Sequence, residues 1–208
     1  VRTSILPTHH GQGGGKPVRL GLVNTTVPGD DVMRCECLES KEVHRDPWTS
    51  LRHDLVRWSN GVQALFSVIE RKAGASVLAI GEDGRVVLVR EFKYAMGDYS
   101  LECVAGGIEE GEEPLVAAQR ELAEEVGIVA RDWTSLGVVQ PLTTAVRAPI
   151  HLFLARGLSP CPTKPDETEF LERVEMPLAE ALRLVENGGI TNAATCIAVL
   201  RAARQAGI

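Results

Sequence analysis

Four glutamates and one arginine crowd a short stretch of this chain: Glu112, Arg120, Glu121, Glu124 and Glu125. The stretch carries its own helix signals. Pro114 suits a first turn, where its missing N–H is harmless. Gly127 suits the left-handed position just past a helix end. Between them Leu115, Ala118, Leu122 and Val126 recur at helical spacing and predict one buried stripe on a helix over 113–126. Glu121 and Glu125 are four apart, so their carboxylates share a face of that helix. Like charges at that spacing destabilise by about 0.2–0.5 kcal/mol. They also sit toward the C-terminal end, where the helix dipole disfavours anions. Two local penalties in one place are expected at functional sites; a solvated acidic helix face is the alternative, and the usual one for a generic glutamate cluster. A hard divalent cation relieves both, because Mg²⁺ takes carboxylate oxygens and fills its shell with water and phosphate oxygens. The chemistry open to such a cluster is metal-assisted work on phosphate.

Strands must hold this helix. Ala75-Ser-Val-Leu-Ala-Ile80 and Val86-Val-Leu-Val89 flank the acidic turn Glu82-Asp83-Gly84 and predict a buried hairpin. A further strand ends near Leu101. Beyond the helix, strands are expected near 133–139 and 149–156, a proline-rich loop at 159–165 and a short strand at 170–175. Two helices close the chain, near 177–187 and 191–205. Before this unit, residues 32–38 and 62–69 alternate, with turn signals at Asp46-Pro47-Trp48 and Ser59-Asn60-Gly61. The organisation read from this is a disordered tail at 1–17, a small antiparallel sheet within 18–72 and a catalytic unit at 73–208. The fold class is α+β.

Of the 208 residues, 44% are hydrophobic and 24% charged, with net charge −6, as expected of an ordinary globular chain. An acidic balance argues against nucleic acid as partner, which demands a basic face. No apolar run nears the length of a membrane span, and residues 1–17 lack the pattern of a signal peptide. Cys35, Cys37, Cys103, Cys161 and Cys196 are odd in number and scattered. That fits neither a disulfide framework nor a zinc site, and strand alternation accounts for Cys35-x-Cys37. Reduced thiols and a cytoplasmic location follow.

The string from Gly106 to Ile128 resembles the Nudix signature: glycine, five residues, glutamate, seven residues, Arg-Glu, an aliphatic residue, any residue, Glu-Glu, any residue, glycine, aliphatic. Gly106, Glu112, Arg120, Glu121, Leu122, Glu124, Glu125, Gly127 and Ile128 fill its fixed positions. The resemblance implies an α/β/α sandwich with a mixed sheet, the helix packed on it, and hydrolysis of a nucleoside diphosphate linked to a second group. It implies metal ligation by Glu121 and Glu125, with Glu124 a further ligand and the Ala105 carbonyl completing the set. Mg²⁺ is the implied cation, with Mn²⁺ as substitute. Glu112 is implied to orient the site and Arg120 to hold the glutamates by ion pairing.

The flanks resemble the ADP-ribose pyrophosphatase subfamily. They are Val89-Arg-Glu-Phe-Lys-Tyr94, Leu101-Glu-Cys-Val-Ala-Gly106, Ile150-His-Leu-Phe-Leu-Ala155, Asp166-Glu-Thr-Glu169 and Gly189-Ile-Thr-Asn-Ala-Ala-Thr195. This resemblance implies cleavage of ADP-ribose to AMP and ribose 5-phosphate, with Glu167 as the base and Glu169 the alternative. Arg90, Lys93 and Glu102 become candidate substrate contacts; Lys93 stands where arginine is common, and the two differ for bidentate phosphate contacts. Trp48, Phe66 and Tyr94 are aromatics able to stack on a base, with core packing the default for each. The resemblance also implies a homodimer through the N-terminal sheet, where Leu65-Phe66 and Val68-Ile69 lack an obvious partner. Three rivals stand beside this reading: a hydrolase of GDP-mannose or another nucleotide sugar, a module that senses ADP-ribose without cutting it, and an isomerase of the same fold acting on isopentenyl diphosphate, whose cysteine and glutamate chemistry has no clear counterpart here. The complete set of signature glutamates speaks against the second.

Overall fold

The computed structural model describes residues 34–163 and 170–208. The expected tail at 1–17, the start of the 32–38 strand and the loop glutamates Glu167 and Glu169 lie outside the described residues. Three long strands come first: β1 (Cys35–Arg45), β2 (Thr49–Trp58) and β3 (Gln63–Arg71), paired antiparallel in order. Their two turns fall on the signals in the sequence. Asp46 Oδ1 accepts the N–H groups of Trp48 and Thr49 at 2.8 and 2.7 Å, the local bond that makes aspartate a turn residue. Gly61 takes φ 84° at the other turn.

The second sheet uses β4 (Gly74–Ile80), β5 (Arg85–Lys93), β6 (Asp98–Glu102) and β7 (Val104–Gly107), then β8 (Ile128–Val139), β10 (Ile150–Pro160) and β11 (Glu172–Pro177). Its strand order is β11-β5-β4-β10-β8, with β6 on β5 and β7 on β4. β10 runs parallel to β4 and antiparallel to β8, so the sheet is mixed. The remaining strand, β9 (Val146–Arg147), leaves this sheet and lies parallel to β3 in the first one.

Helices cover both faces. α1 (Pro114–Val126) packs on Ala75, Val77 and Ala79 of β4, with Val87, Val89, Val104, Phe153 and Ala155. α2 (Leu178–Glu186) and α3 (Ala193–Ala206) pack on the other face, against Leu78, Ile80, Val86, Leu88, Leu152 and Leu154. Alternate residues of β4 thus enter opposite cores, and a strand buried on both faces reads as an unbroken apolar run. Each fully buried valine or leucine contributes about 1.5–3 kcal/mol.

The structure corrects three expectations. Leu115 is exposed, and Ala117 joins Ala118, Leu122 and Val126 in the buried stripe. The two alanines let α1 sit close on the sheet, and Leu115, in the first turn, lies at the margin of that contact. β8 and β10 are longer than expected, pairing from Ile128↔Pro160 to Val139↔Ile150. Pro160 is therefore in a strand rather than in a loop; it ends the strand, where a missing donor is tolerated.

Candidate active site

The start of α1 is set by Pro114 and its end by Gly127 at φ 65°, whose N–H returns to the Ala123 and Leu122 carbonyls. No basic side chain lies in the helix's own last turn. Arg173 of β11 supplies that charge from outside, donating from Nη1 to the Val126 carbonyl at 3.3 Å, as the negative helix end favours. On the helix, Arg120 is the centre of the acidic cluster. Its Nε and Nη2 donate to the two Glu112 oxygens, each at 3.0 Å. Nη1 reaches Glu121 Oε1 at 2.7 Å and Glu124 Oε2 at 3.2 Å, and Nη2 also donates to the Gly107 carbonyl at 2.9 Å. A planar guanidinium with five donors can do this; an ammonium cannot. The hydrogen bond from Arg120 holds the Glu112 carboxyl below its ordinary range, helped by the Glu109 N–H. The same bond to Glu112 pushes the Arg120 pKa up.

Glu121 is the buried member of the cluster, 8% exposed. Its carboxylate lies against the backbone of Gly106, so closely that a Cβ there would fall inside it. Gly106 does not have a positive φ; this glycine is needed for close approach and not for its conformation. Its neighbour Gly107 has room, with only Lys72 Cδ at 3.9 Å from a built Cβ. The turn and the helix therefore bring the Glu121 carboxylate to the residue next to Ala105. Glu125 stands one turn further along the same face.

Lys93 faces this cluster from the end of β5. Its ammonium pairs with Glu91 and lies 3.8 Å from Glu102. Burial pulls its pKa down, but the bond to Glu91 and the charges of Glu102, Glu91 and Glu125 outweigh this, so its pKa is raised and it stays a cation. The structure thus brings Lys93 and Glu102 together with the helix glutamates. Arg90 points elsewhere: it pairs with Glu172 at 3.0 Å and stacks on Tyr99 at 4.0 Å, exposed to solvent. Trp48 is exposed, with Lys72 Nζ 5.3 Å over its ring, and Lys72 in turn pairs with Glu109 ahead of α1 at 3.1 Å. The default of core packing fails for Trp48, Phe66 and Tyr94, all three of which are exposed. Turns and the first sheet carry them, and neither apolar core reaches there. Burial pushes the thiol of Cys103, beside Glu102, up to about 12.

Several participants were not singled out in the sequence. Glu91 had one available signal, since it lies two residues from Lys93 and a strand puts such pairs on one face. Lys72, Glu109 and Arg173 had none, because their partners are distant in the chain.

A hard cation fits the donors gathered here. Glu121 and Glu125 offer carboxylate oxygens, and the cradle at Gly106 sets the first of them beside Ala105. Among the described residues no three His, Cys, Asp or Glu side chains close on a common point. Those two carboxylates and the Ala105 carbonyl would make up the donor set, and Arg120 engages the Glu121 carboxylate from its side.

With that geometry in place, the chain matches the family model for the NUDIX domain over residues 70–194. The chain belongs to the Nudix family. It is a Nudix pyrophosphohydrolase. An ADP-ribose pyrophosphatase of Bacillus subtilis (strain 168) is 33% identical over 146 residues, covering 69% of this chain and 79% of that protein. A GDP-mannose pyrophosphatase of Cronobacter sakazakii is 32% identical over 146 residues, covering 62% of this chain and 73% of its own. A crystal structure of an ADP compounds hydrolase superposes with TM-score 0.76 at 26% identity, covering 86% of this chain and 97% of that one. The Nudix fold expected from the sequence, with its mixed sheet and the small sheet ahead of it, is the fold found.

Proposed function

We propose that this Nudix enzyme hydrolyses the pyrophosphate of ADP-ribose, giving AMP and ribose 5-phosphate, with Mg²⁺ as its cation. The observation that carries the metal site is the Glu121 carboxylate seated against Gly106, next to Ala105, on the signature helix. Glu121, Glu125 and the Ala105 carbonyl would hold the cation, with Glu124 a further ligand. When bound, such a cation supplies positive charge that neutralises phosphate oxygens as the P–O bond breaks. Arg120 acts as a positioning residue, holding Glu112, Glu121 and Glu124 in one array. Lys93 presents its ammonium to a substrate phosphate, with Glu102 and Glu91 steering it. Arg90, turned to Glu172 and Tyr99, is left out of this phosphate contact, and the exposed ring of Trp48 stacks on the base. Glu167, with Glu169 as the alternative, takes the proton of the attacking water; both lie outside the described residues.

Residues 18–72 form a dimerisation and closure region ahead of the catalytic unit at 73–208. The exposed Leu38, Val43, Leu65 and Phe66 on the first sheet support this, because pairing two copies would cover them. A monomer by light scattering at micromolar concentration refutes the dimer. Five free cysteines support a cytoplasmic location, which fractionation tests. Among the described residues, no helix is long and apolar enough to cross a membrane.

A second reading rests on the relative named for GDP-mannose. A panel of ADP-ribose, GDP-mannose, UDP-glucose, NADH and FAD decides between them. Hydrolysis should vanish in EDTA and return with Mg²⁺ or Mn²⁺. ADP-ribose should lead GDP-mannose in kcat/KM by about tenfold or more, about 1.4 kcal/mol in transition-state binding. The reverse order moves the assignment to nucleotide sugars. Binding of ADP-ribose with no product in the presence of Mg²⁺ makes the chain a sensor, and full activity in chelator ends the metal reading.

A further inference from the structure

The chain changes sheet partner at Cys103. Glu102, the last residue of β6, pairs with Val89 of β5, whereas Val104, the first of β7, pairs with Val77 of β4. Cys103 belongs to neither strand, so its N–H has no ladder partner, yet the residue is 1% exposed. A buried N–H must be satisfied. Its acceptor comes from the opposite helix layer: Thr195 Oγ1, in the first turn of α3, receives it at 2.9 Å. The direction is unambiguous, since an amide N–H only donates. Thr195 then donates its own proton to Asn192 Oδ1 at 3.0 Å, and Asn192 also caps the helix by accepting the Thr195 N–H at 2.9 Å. Thr195 is itself 1% exposed. One hydroxyl therefore ties the α3 cap to the switch point, with Glu102 on one side of that point and Val104-Ala105-Gly106 on the other.

We propose that Thr195 is a positioning residue for the catalytic turn: it sets the place of the Ala105 carbonyl and so the affinity of the site for its cation. This rests on the metal-site reading above. α1 fixes the carboxylate donors from one face of the sheet; α3 fixes the carbonyl donor through the sheet from the other. Thr195 touches neither substrate nor cation. A residue that orients a donor typically governs metal affinity by about 10–100-fold, and that is the effect assigned to Thr195.

The test is Mn²⁺ binding to the full chain, read as the loss of the free-ion EPR signal, at a temperature well below unfolding. Thr195→Val keeps the shape and removes the hydroxyl; it should weaken Mn²⁺ binding by about tenfold or more and speed hydrogen exchange at the Cys103 amide. Thr195→Ser keeps the hydroxyl and should restore most of the affinity. If Thr195→Val does not fold, Asn192→Ala decides, with a smaller loss in the same direction expected and wild-type affinity refuting the idea. Wild-type Mn²⁺ affinity in Thr195→Val, alongside faster exchange at Cys103, would show a structural latch only and overturn the proposal. So would equal losses in Thr195→Val and Thr195→Ser. Glu125→Gln is the control. If the wild-type chain holds no Mn²⁺ and Glu125→Gln changes nothing, the metal-site reading fails and the role of Thr195 falls with it.

Discussion

Replacing Gly106 by alanine separates close approach from backbone freedom at the point where the turn meets the catalytic helix. Gly106 does not have a positive φ, so alanine suits the backbone and only the added methyl matters. That methyl would fall inside the Glu121 carboxylate. To restore an ordinary contact of about 3.5 Å, one of the two must move. The β7 backbone is held to β4 by the Ala75↔Gly106 pairing, so the end of the Glu121 side chain gives way. Less freedom in the unfolded chain favours the variant by about 0.4–1 kcal/mol. A strained or broken bond from Arg120 to Glu121 opposes it by about 1.5–3 kcal/mol. The net change without metal should thus stay under about 2.5 kcal/mol, a fall of roughly 10 °C at most for a chain of this size. The metal site should suffer more. A displaced donor weakens affinity by about 10–100-fold, or about 1.4–2.7 kcal/mol. Isothermal titration with Mn²⁺ measures this, beside melting in EDTA. Gly107→Ala is the matched control, because its methyl meets nothing nearer than Lys72 Cδ at 3.9 Å. It should bind Mn²⁺ as the wild type does. Wild-type affinity in Gly106→Ala, or equal losses in both variants, refutes the reasoning.

Four further outcomes follow. Arg120→Met strands the carboxylates that Arg120 bridges, and should destabilise by about 2–4 kcal/mol after allowance for partial exposure, about 4–16 °C in melting temperature; Arg120→Lys should recover little, lacking the fork. The same pair sets a pH dependence. Arg120 lowers the Glu112 pKa from its ordinary 4.5, so this contribution is full above that value and is lost as pH falls through the lower, folded one. Melting between pH 6 and pH 3 should therefore fall less steeply in Arg120→Met than in the wild type, and parallel curves would refute the pairing. Glu125→Gln should lower kcat by about a hundredfold or more. Its melting temperature in chelator should stay within about 2 °C of wild type, since relief from Glu121 offsets the lost attraction of Lys93; unfolding would give it a structural role. Glu167→Gln should cut kcat strongly and leave KM and Mn²⁺ affinity nearly unchanged, with Glu169→Gln milder; the opposite ranking would put the base two residues further on.

The catalytic helix was legible from the sequence because every signal for it is local. Pro114 and Gly127 bound it, the apolar repeat turns it toward the sheet, and the glutamate spacing puts Glu121 and Glu125 on one face. The turns at residues 46–48 and 59–61 were legible for the same reason: Asp46 and Gly61 act on backbone within three residues. The runs of β4 and β5 announced strands buried on both faces, since no polar residue but Ser76 interrupts them between Ala75 and Ile80 or Val86 and Val89.

Only the tertiary structure decided which strands meet. Nothing within β10 says that it runs parallel to β4, or that Val146 and Arg147 leave their neighbours for the first sheet. Those pairings are settled by burial and by backbone groups that must find partners across long stretches of chain. The same holds at the site. Sequence put Lys93 and Glu102 among the candidates, but only the fold sets that ammonium against Glu91 and Glu102, within the field of Glu125, and turns Arg90 away to Glu172 and Tyr99. The glycine at 106 matched a signature in the sequence, whereas the reason for it is a carboxylate fifteen residues later that folds back onto its Cα. Thr195 lies 92 residues from the amide it satisfies, and no local signal spans that distance.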